Sequence, residues 1–225
     1  GEREFVDDGT LDTAKMLDYL ASYNGKSGTA CPGLDAWLQA FSGADEIFVV
    51  TITGALSGTC ASAVAARDLY LQSHPEAKIH VFDSLSTGPE MLLLIEKLAD
   101  LIREGKSFDE ICKAGQDYLA STHLLFILRS IHNLAQNGRV SKLEPVEKCR
   151  GDKKARNALV DEMYRFGYRG GKVRIHHAEN PETAGALAAA LRDCFPWTEI
   201  EIRPCTGLCS YYAERGGVIV GFETA

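Results

Sequence analysis

Hydrophobic residues recur at helical spacing in several stretches of the chain. In residues 11–23 the apolar positions are three or four residues apart, which is typical of one face of an amphipathic helix. Residues 34–41 repeat this spacing. The same criterion predicts helices over residues 61–72, 90–104, 107–120, 152–165 and 181–193.

Runs of β-branched and aromatic residues predict the strands between these helices. Residues 47–53 form a nearly continuous apolar run, as expected of a parallel strand that is buried on both faces. The other predicted strands cover residues 78–82, 123–130, 173–178, 199–203 and 218–222.

The order of these elements predicts an α/β fold with two α/β domains. In residues 1–120, strand, small-residue loop and helix alternate, which predicts a mostly parallel sheet flanked by helices. In residues 121–225 the order is less regular and predicts a mixed or antiparallel sheet with helices. Ligands of parallel sheets bind beyond the carboxyl ends of the strands. The loops at 54–59 and 83–88 follow two such strands and are therefore the first candidates for a site.

Composition and charge narrow the classes of function. The chain has 24 Lys and Arg residues, 31 Asp and Glu residues and a formal net charge of −7, so a nucleic-acid-binding surface is not expected. Its apolar runs are far shorter than the roughly 20 residues of a membrane-spanning helix. The first residues lack the order of a signal peptide, so a cytoplasmic location is expected. The seven cysteines are scattered and odd in number, which favours reduced thiols.

The segment 53–59 (TGALSGT) lies between a predicted buried strand and a predicted helix. Ser57 and Thr59 can cap that helix, and the glycines allow the backbone to turn tightly and approach a ligand. The free amides at such a helix start attract phosphate or carboxylate alike. An ordinary helix cap without a ligand explains the same pattern. The segment is neither a Walker loop nor a G-x-G-x-x-G dinucleotide fingerprint.

A second polar loop, residues 27–33 (SGTACPG), joins two predicted helices. Its Cys31 is either a nucleophile or a plain loop cysteine, and no cation lies next to it in the sequence. The tripeptide at 137–139 (NGR) is predicted as a tight turn with a solvated arginine.

Metal and triad chemistry find little support in the sequence. Cys205 and Cys209, with His176 and His177 upstream, do not have the spacing of a zinc site, and adjacent histidines on a strand point to opposite faces. A G-x-S-x-G nucleophile elbow is absent. We therefore expect neither a metal nor a catalytic serine.

Five segments, taken in their order along most of the chain, resemble the DegV family. They are residues 29–33 (TACPG, where the family tends to have Thr-Ser-x-Pro-Ser), 56–59 (LSGT), 82–86 (FDSLS), 137–141 (NGRVS, like Gly-Gly-Arg-Ile) and 147–151 (EKCRG, like Lys-x-Arg-Gly). The combination is fairly specific, whereas each segment alone is a weak signal.

This resemblance implies a bacterial fatty-acid-binding protein of two α/β domains that bury one acyl chain, with the lipid site between or beneath the strand-end loops. It implies that Thr29 and Ser57 hold the carboxylate, which agrees with the argument for an anion site at residues 53–59. The amides of Gly58 and Thr59 are further ligand-binding candidates. Family members of Gram-positive bacteria present the fatty acid to a separate ATP-using kinase. The expected partners are thus a long-chain fatty acid and a fatty-acid kinase, and the chain is expected to be a carrier without catalytic residues or cofactors.

The sequence departs from the family pattern at three places. Ala213 stands where the family usually has the histidine of a His-x-Gly-Pro-Gly stretch. Without this histidine, coupling to a kinase is less expected, whereas fatty-acid binding through Thr29 and Ser57 is still expected. The family's opening strand is not found before the first residue, and about a strand's worth of sequence is missing between Leu143 and Glu144. Ala30 and Gly33 replace serines of the family, so the first loop offers fewer hydroxyls.

Two other hypotheses remain open from the sequence. The Ser57 loop can instead grip a small phosphorylated substrate of a phosphotransfer-type enzyme, although none of the six histidines falls in either polar loop. A redox or metal module built on Cys31, Cys205 and Cys209 is the third hypothesis.

Overall fold

The computed structural model describes residues 3–143 and 147–224 of the chain. The sequence that is predicted to be missing between Leu143 and Glu144 would therefore fall at the edge of a stretch outside the described residues. In chain order the helices are α1 (Thr13–Ser22), α2 (Leu34–Phe41), α3 (Thr59–Ser73), α4 (Pro89–Arg103), α5 (Phe108–Leu119), α6 (His132–Gln136), α7 (Asp152–Arg165), α8 (Pro181–Cys194) and α9 (Gly207–Ala213). The strands are β1 (Glu46–Thr51), β2 (Lys78–Asp83), β3 (Thr122–Ile127), β4 (Gly171–His177), β5 (Thr198–Pro204) and β6 (Val218–Glu223).

The chain forms two compact units. The continuous unit is Ala30–Thr122, and the split unit combines Gly1–Thr29 with His123–Ala225. The chain thus leaves the split unit after Thr29 and returns to it after Thr122. The division into domains at 1–120 and 121–225 stays a prediction, and the first 29 residues group with the C-terminal part of the chain.

The continuous unit is built on a two-stranded parallel sheet that carries helices on both faces. β1 and β2 pair in register from Glu46 opposite Lys78 to Thr51 opposite Asp83. Side chains alternate between the two faces of a strand. On β1, Val49 packs with α2 and α3, whereas its neighbours in the strand pack with α4 and α5. Because the two strands are parallel, their carboxyl ends meet at one edge, where the loops at 54–59 and 83–88 begin.

The split unit contains a four-stranded mixed sheet in the order β3-β6-β4-β5. β4 pairs parallel with β5 and antiparallel with β6. Helices α7 and α8 bury this sheet's main core, in which Met163 and Leu187 of the helices contact strand residues such as Val173. α1 packs against α9, which attaches the N-terminal segment to this unit.

The predicted α/β class, with a parallel sheet first and a mixed sheet second, is confirmed. Each predicted helix and strand has a counterpart whose ends agree within three residues. Helices α6 and α9 were not predicted, because five and seven residues are too few to show an apolar period. Among the described helices, none combines the length and apolar character needed to cross a bilayer.

Replacing Leu94 with alanine tests the core of the continuous unit. Leu94 is fully buried on α4 beside Phe82, so Leu94→Ala should lower the free energy of unfolding by about 2 to 5 kcal/mol. Ile102→Ala is a matched control on the same helix, because Ile102 is 52% exposed and its loss should cost less than about 1 kcal/mol. Urea unfolding measures both values, and equal losses would contradict this packing.

Candidate functional site

The Ser57 loop, residues 53–59, turns the chain from β1 into α3. Thr53 begins the turn, because its carbonyl accepts the amides of Leu56 at 3.1 Å and Ser57 at 3.2 Å. The helix cap differs in detail from the prediction. Gly58 occupies the N-cap position of α3, and the Ser57 hydroxyl accepts the amide of Thr59 at 3.3 Å.

The Ser57 loop is fixed by the neighbouring Asp83 loop, residues 83–88. The amide of Gly54 donates to both carboxylate oxygens of Asp83, at 3.2 and 3.1 Å, and the amide of Thr53 donates to the carbonyl of Ser86 at 2.8 Å. A Cβ atom at position 54 would lie 3.0 Å from Asp83 Oδ2. Glycine is therefore the residue that lets the carboxylate approach the backbone this closely.

A buried glutamate supports the Asp83 loop from the first turn of α4. Glu90 is 7% exposed, and its Oε1 accepts the hydroxyl of Thr122 at 2.7 Å while its Oε2 accepts the hydroxyl of Ser86. Burial raises the pKa of Glu90, and the hydrogen bonds from Ser86 and Thr122 oppose that rise. Sequence reasoning missed this residue, because a glutamate in the first turn of a helix is normally solvated and favoured there by the helix dipole.

The hydroxyl arrangement of the Ser57 loop leaves a donor for a ligand. Ser57 and Thr59 are half-buried, and their hydroxyls lie 2.8 Å apart. When the Thr59 hydroxyl donates to Ser57, the proton of Ser57 is free to bind an acceptor outside the loop. The first-turn amides of α3 have no acceptor within the helix, and those beyond Thr59, whose amide donates to Ser57, add to this donor set. Residues 53–59 contain no side chain that titrates near neutral pH, so the loop offers hydrogen-bond donors and no proton-transfer group of its own.

Thr29 belongs to the split unit, whereas Ser57, Gly58 and Thr59 belong to the continuous unit. The side chain of Thr29 is exposed, and its hydroxyl lies 2.8 Å from the hydroxyl of Tyr212 on α9. Tyr212 was not predicted as a site residue. The two residues are 183 positions apart, and no motif around Tyr212 gave a signal in the sequence.

Two further side chains near Thr29 differ from their predicted surroundings. Arg139 follows the predicted turn but is half-buried, with its guanidinium 5.0 Å from the centre of the Tyr212 ring. Ala213, at the position of the family's histidine, is 2% exposed and packs against Ala178 and Ile219. Position 213 is therefore part of the core and not of a polar surface.

Of the side chains considered for metal or redox chemistry, Cys205 and Cys209 lie in one apolar cluster. Within residues 3–143 and 147–224, no three His, Cys, Asp or Glu side chains form a group that could hold a metal ion. Burial raises the pKa of the Cys205 thiol well above its usual range. Burial, helped by the charge of Arg203, lowers the pKa of His176 to about 4. A buried thiol and a buried neutral imidazole of this kind are typical of structural residues.

A cavity of about 130 Å³ lies in the split unit between β3 and α7. Its apolar lining includes Leu125, Ile127 and Leu159, and Glu147 and Glu162 also line it. A shallower groove of about 340 Å³ runs between α2 and α3 of the continuous unit. Neither space is lined by Thr29 or Ser57. Since a cavity of ~150 Å³ holds a benzene ring, a long acyl chain needs more room than the first cavity offers.

The fold and the loops define an α/β protein with hydroxyl-rich polar segments, one of them at the carboxyl ends of parallel strands. A family model described as "Uncharacterised protein, DegV family" matches residues 1–145. A DegV domain-containing protein of Streptococcus pneumoniae strain R6 is 42% identical over 244 residues, which cover 99% of this chain and 87% of the relative. The chain therefore belongs to the DegV family, as the sequence resemblance predicted.

Two solved structures resemble this chain over its whole length. A DegV family protein from Eubacterium eligens, loaded with heptadecanoic acid, is 48% identical with a TM-score of 0.97, over 100% of this chain and 89% of that protein. The Streptococcus pneumoniae Fatty Acid Kinase (Fak) B3 protein, loaded with linoleic acid, is 42% identical with a TM-score of 0.98, over 100% of this chain and 88% of that protein.

Replacing Glu90 with glutamine should change how stability depends on pH. Because the folded-state pKa of Glu90 is raised above its ordinary value of 4.5, ionisation of this group destabilises the fold. The stability of the wild type relative to Glu90→Gln should be highest below pH 4.5 and fall as the pH rises through the raised pKa. Urea unfolding at pH 4, 5.5 and 7 measures this difference.

Glu110→Gln provides a control of opposite sign. The hydroxyl and amide of Ser107 lower the pKa of Glu110, so the wild type should gain stability over this variant as the pH rises from 4 to 7. If both variants changed in the same direction with pH, the buried position of Glu90 would be wrong.

Proposed function

We propose that this chain binds one long-chain fatty acid and carries it to a partner, with the carboxylate held by Thr29 and Ser57. The observation that carries the proposal is the 48% identical Eubacterium eligens protein, which is loaded with heptadecanoic acid. The second neighbour is loaded with linoleic acid, so long aliphatic acids are common to both relatives. The donor set of the Ser57 loop supports the same ligand class.

The hydrocarbon tail supplies most of the binding free energy. Each CH₂ group removed from water contributes about 0.8 kcal/mol, so a tail of about 16 carbons gains on the order of 10 kcal/mol before the costs of binding. That gain requires an enclosed apolar path larger than the cavity between β3 and α7. The lipid site is proposed to lie between or beneath the strand-end loops.

The carboxylate needs hydrogen-bond donors, because an unpaired buried charge costs several kcal/mol. Ser57 can donate its hydroxyl proton, and the amides of Gly58 and Thr59 lie at the start of α3. Thr29 can donate in the same way. Hydroxyls and amides are neutral, so the acid can leave for a partner without exposing an unpaired cation in the site.

We propose that the partner is a fatty-acid kinase, because one of the two neighbours is itself a fatty acid kinase B3 protein. In this role the chain presents the acid and the kinase transfers the phosphoryl group, so the chain is a carrier rather than the catalyst. Such a partner uses ATP, which places the exchange in the cytoplasm.

Extraction of the purified protein with organic solvent tests the proposed ligand. We expect about one long-chain fatty acid per chain by mass spectrometry, since a deeply buried tail leaves slowly. Delipidated protein should bind added hexadecanoic acid and should turn over neither ATP nor sugar phosphates on its own. An empty extract together with no binding of the added acid would overturn the proposal.

Ser57→Ala tests the role of the hydroxyl in the Ser57 loop. The variant should bind a long-chain acid about 1 to 3 kcal/mol more weakly, because a charged acceptor loses a donor. Ser73→Ala is the matched control, since Ser73 ends the same helix roughly 20 Å away and its hydroxyl bonds only to local groups. Calorimetric or fluorescence titration measures both affinities, and unchanged binding by Ser57→Ala would remove Ser57 from the site.

A further inference from the structure

Tyr212 presents its hydroxyl directly to Thr29 from a firmly anchored helix. The adjacent Tyr211 is buried. Its hydroxyl accepts a hydrogen bond from Asn137 Nδ2 at 3.0 Å and lies 2.8 Å from the hydroxyl of Ser27. Ser27 and Thr29 are two residues apart in the same segment. The Tyr211 contacts therefore hold the segment against α9 and place Thr29 opposite Tyr212.

The Thr29 and Tyr212 hydroxyls together carry two protons and share one hydrogen bond of 2.8 Å. One proton lies within the pair, and the other is left for an acceptor outside it. When Tyr212 donates to Thr29, the proton of Thr29 must point away from the phenol. A carboxylate can only accept hydrogen bonds, so it fits this arrangement. An alcohol can also donate its own proton, so it does not depend on a donor in this orientation.

The guanidinium of Arg139 lies against the ring of Tyr212. The guanidinium of Arg139 lies 5.0 Å from the centre of the Tyr212 ring, within the range of a cation–π contact. Arg139 is half-buried and also donates to the carbonyl of Asn137 at 3.3 Å. The Tyr212 side chain therefore contacts Thr29 through its hydroxyl and Arg139 through its ring.

We propose that Tyr212 is a positioning residue that orients the Thr29 hydroxyl toward the carboxylate and thereby sets the preference for ionised acids over neutral lipids of the same length. This inference rests on the proposed function, because it assumes that Thr29 contacts the headgroup. Tyr212 acts through Thr29, and its ring keeps Arg139 in place.

Tyr212→Phe tests the proposal, because it removes the hydroxyl and keeps the ring. The variant should bind hexadecanoic acid about tenfold more weakly and hexadecanol within about twofold of the wild type. In a Thr29→Val background, the same change should add less than about twofold, because the hydroxyl that Tyr212 orients is gone. Tyr164→Phe is the matched control, since Tyr164 is 56% exposed and has Arg169 over its ring at 3.9 Å.

The outcomes separate this inference from the proposed function. Unchanged affinity of Tyr212→Phe for the acid, or equal losses for acid and alcohol, would overturn the positioning role while leaving fatty-acid binding intact. Additive losses in the double variant would also overturn it. A wild-type protein that binds no fatty acid would instead overturn the proposed function and this inference together. Thermal unfolding of each variant confirms that the fold is retained.

Discussion

The hydrogen bonds from the Gly54 amide to the Asp83 carboxylate are the constraint on which the rest of the candidate site depends. They join the ends of two adjacent parallel strands, and the amide of Thr53 adds a second link to the carbonyl of Ser86. None of these contacts uses the side chain of Ser57. The loop is therefore held in shape while its hydroxyl stays available, and little conformational entropy is lost when a ligand binds.

The polar groups at the two candidate positions, Thr29 and Ser57, are neutral hydrogen-bond donors rather than charged side chains. Ser57 and Thr29 offer hydroxyls, and Arg139 lies against the ring of Tyr212. The buried acid Glu90 is likewise satisfied by hydroxyls, those of Ser86 and Thr122. Under the proposed function, the apolar tail would determine how tightly a lipid binds, and the hydroxyls would determine which headgroup is accepted.

The sequence predicted the parts of the molecule whose signals are local. The apolar run of β1 and the small-residue turn after it sufficed to place the Ser57 loop at a strand end. Contacts between segments that are distant in the sequence could not be predicted from local patterns. The partner of Thr29 is 183 positions away on a helix too short to show a period, and Glu90 looks like an ordinary first-turn acid until folding buries it.

The path of the chain through its two units has a consequence for how the protein is made. The unit Ala30–Thr122 is one continuous stretch, so all its residues are synthesised before residues 123–225 leave the ribosome. The split unit must wait for α9, which the ribosome makes after the whole of the continuous unit. Thr29 is synthesised before the continuous unit and Tyr212 after it, so the hydroxyl pair of the proposed headgroup site cannot form on a nascent chain that still lacks α9.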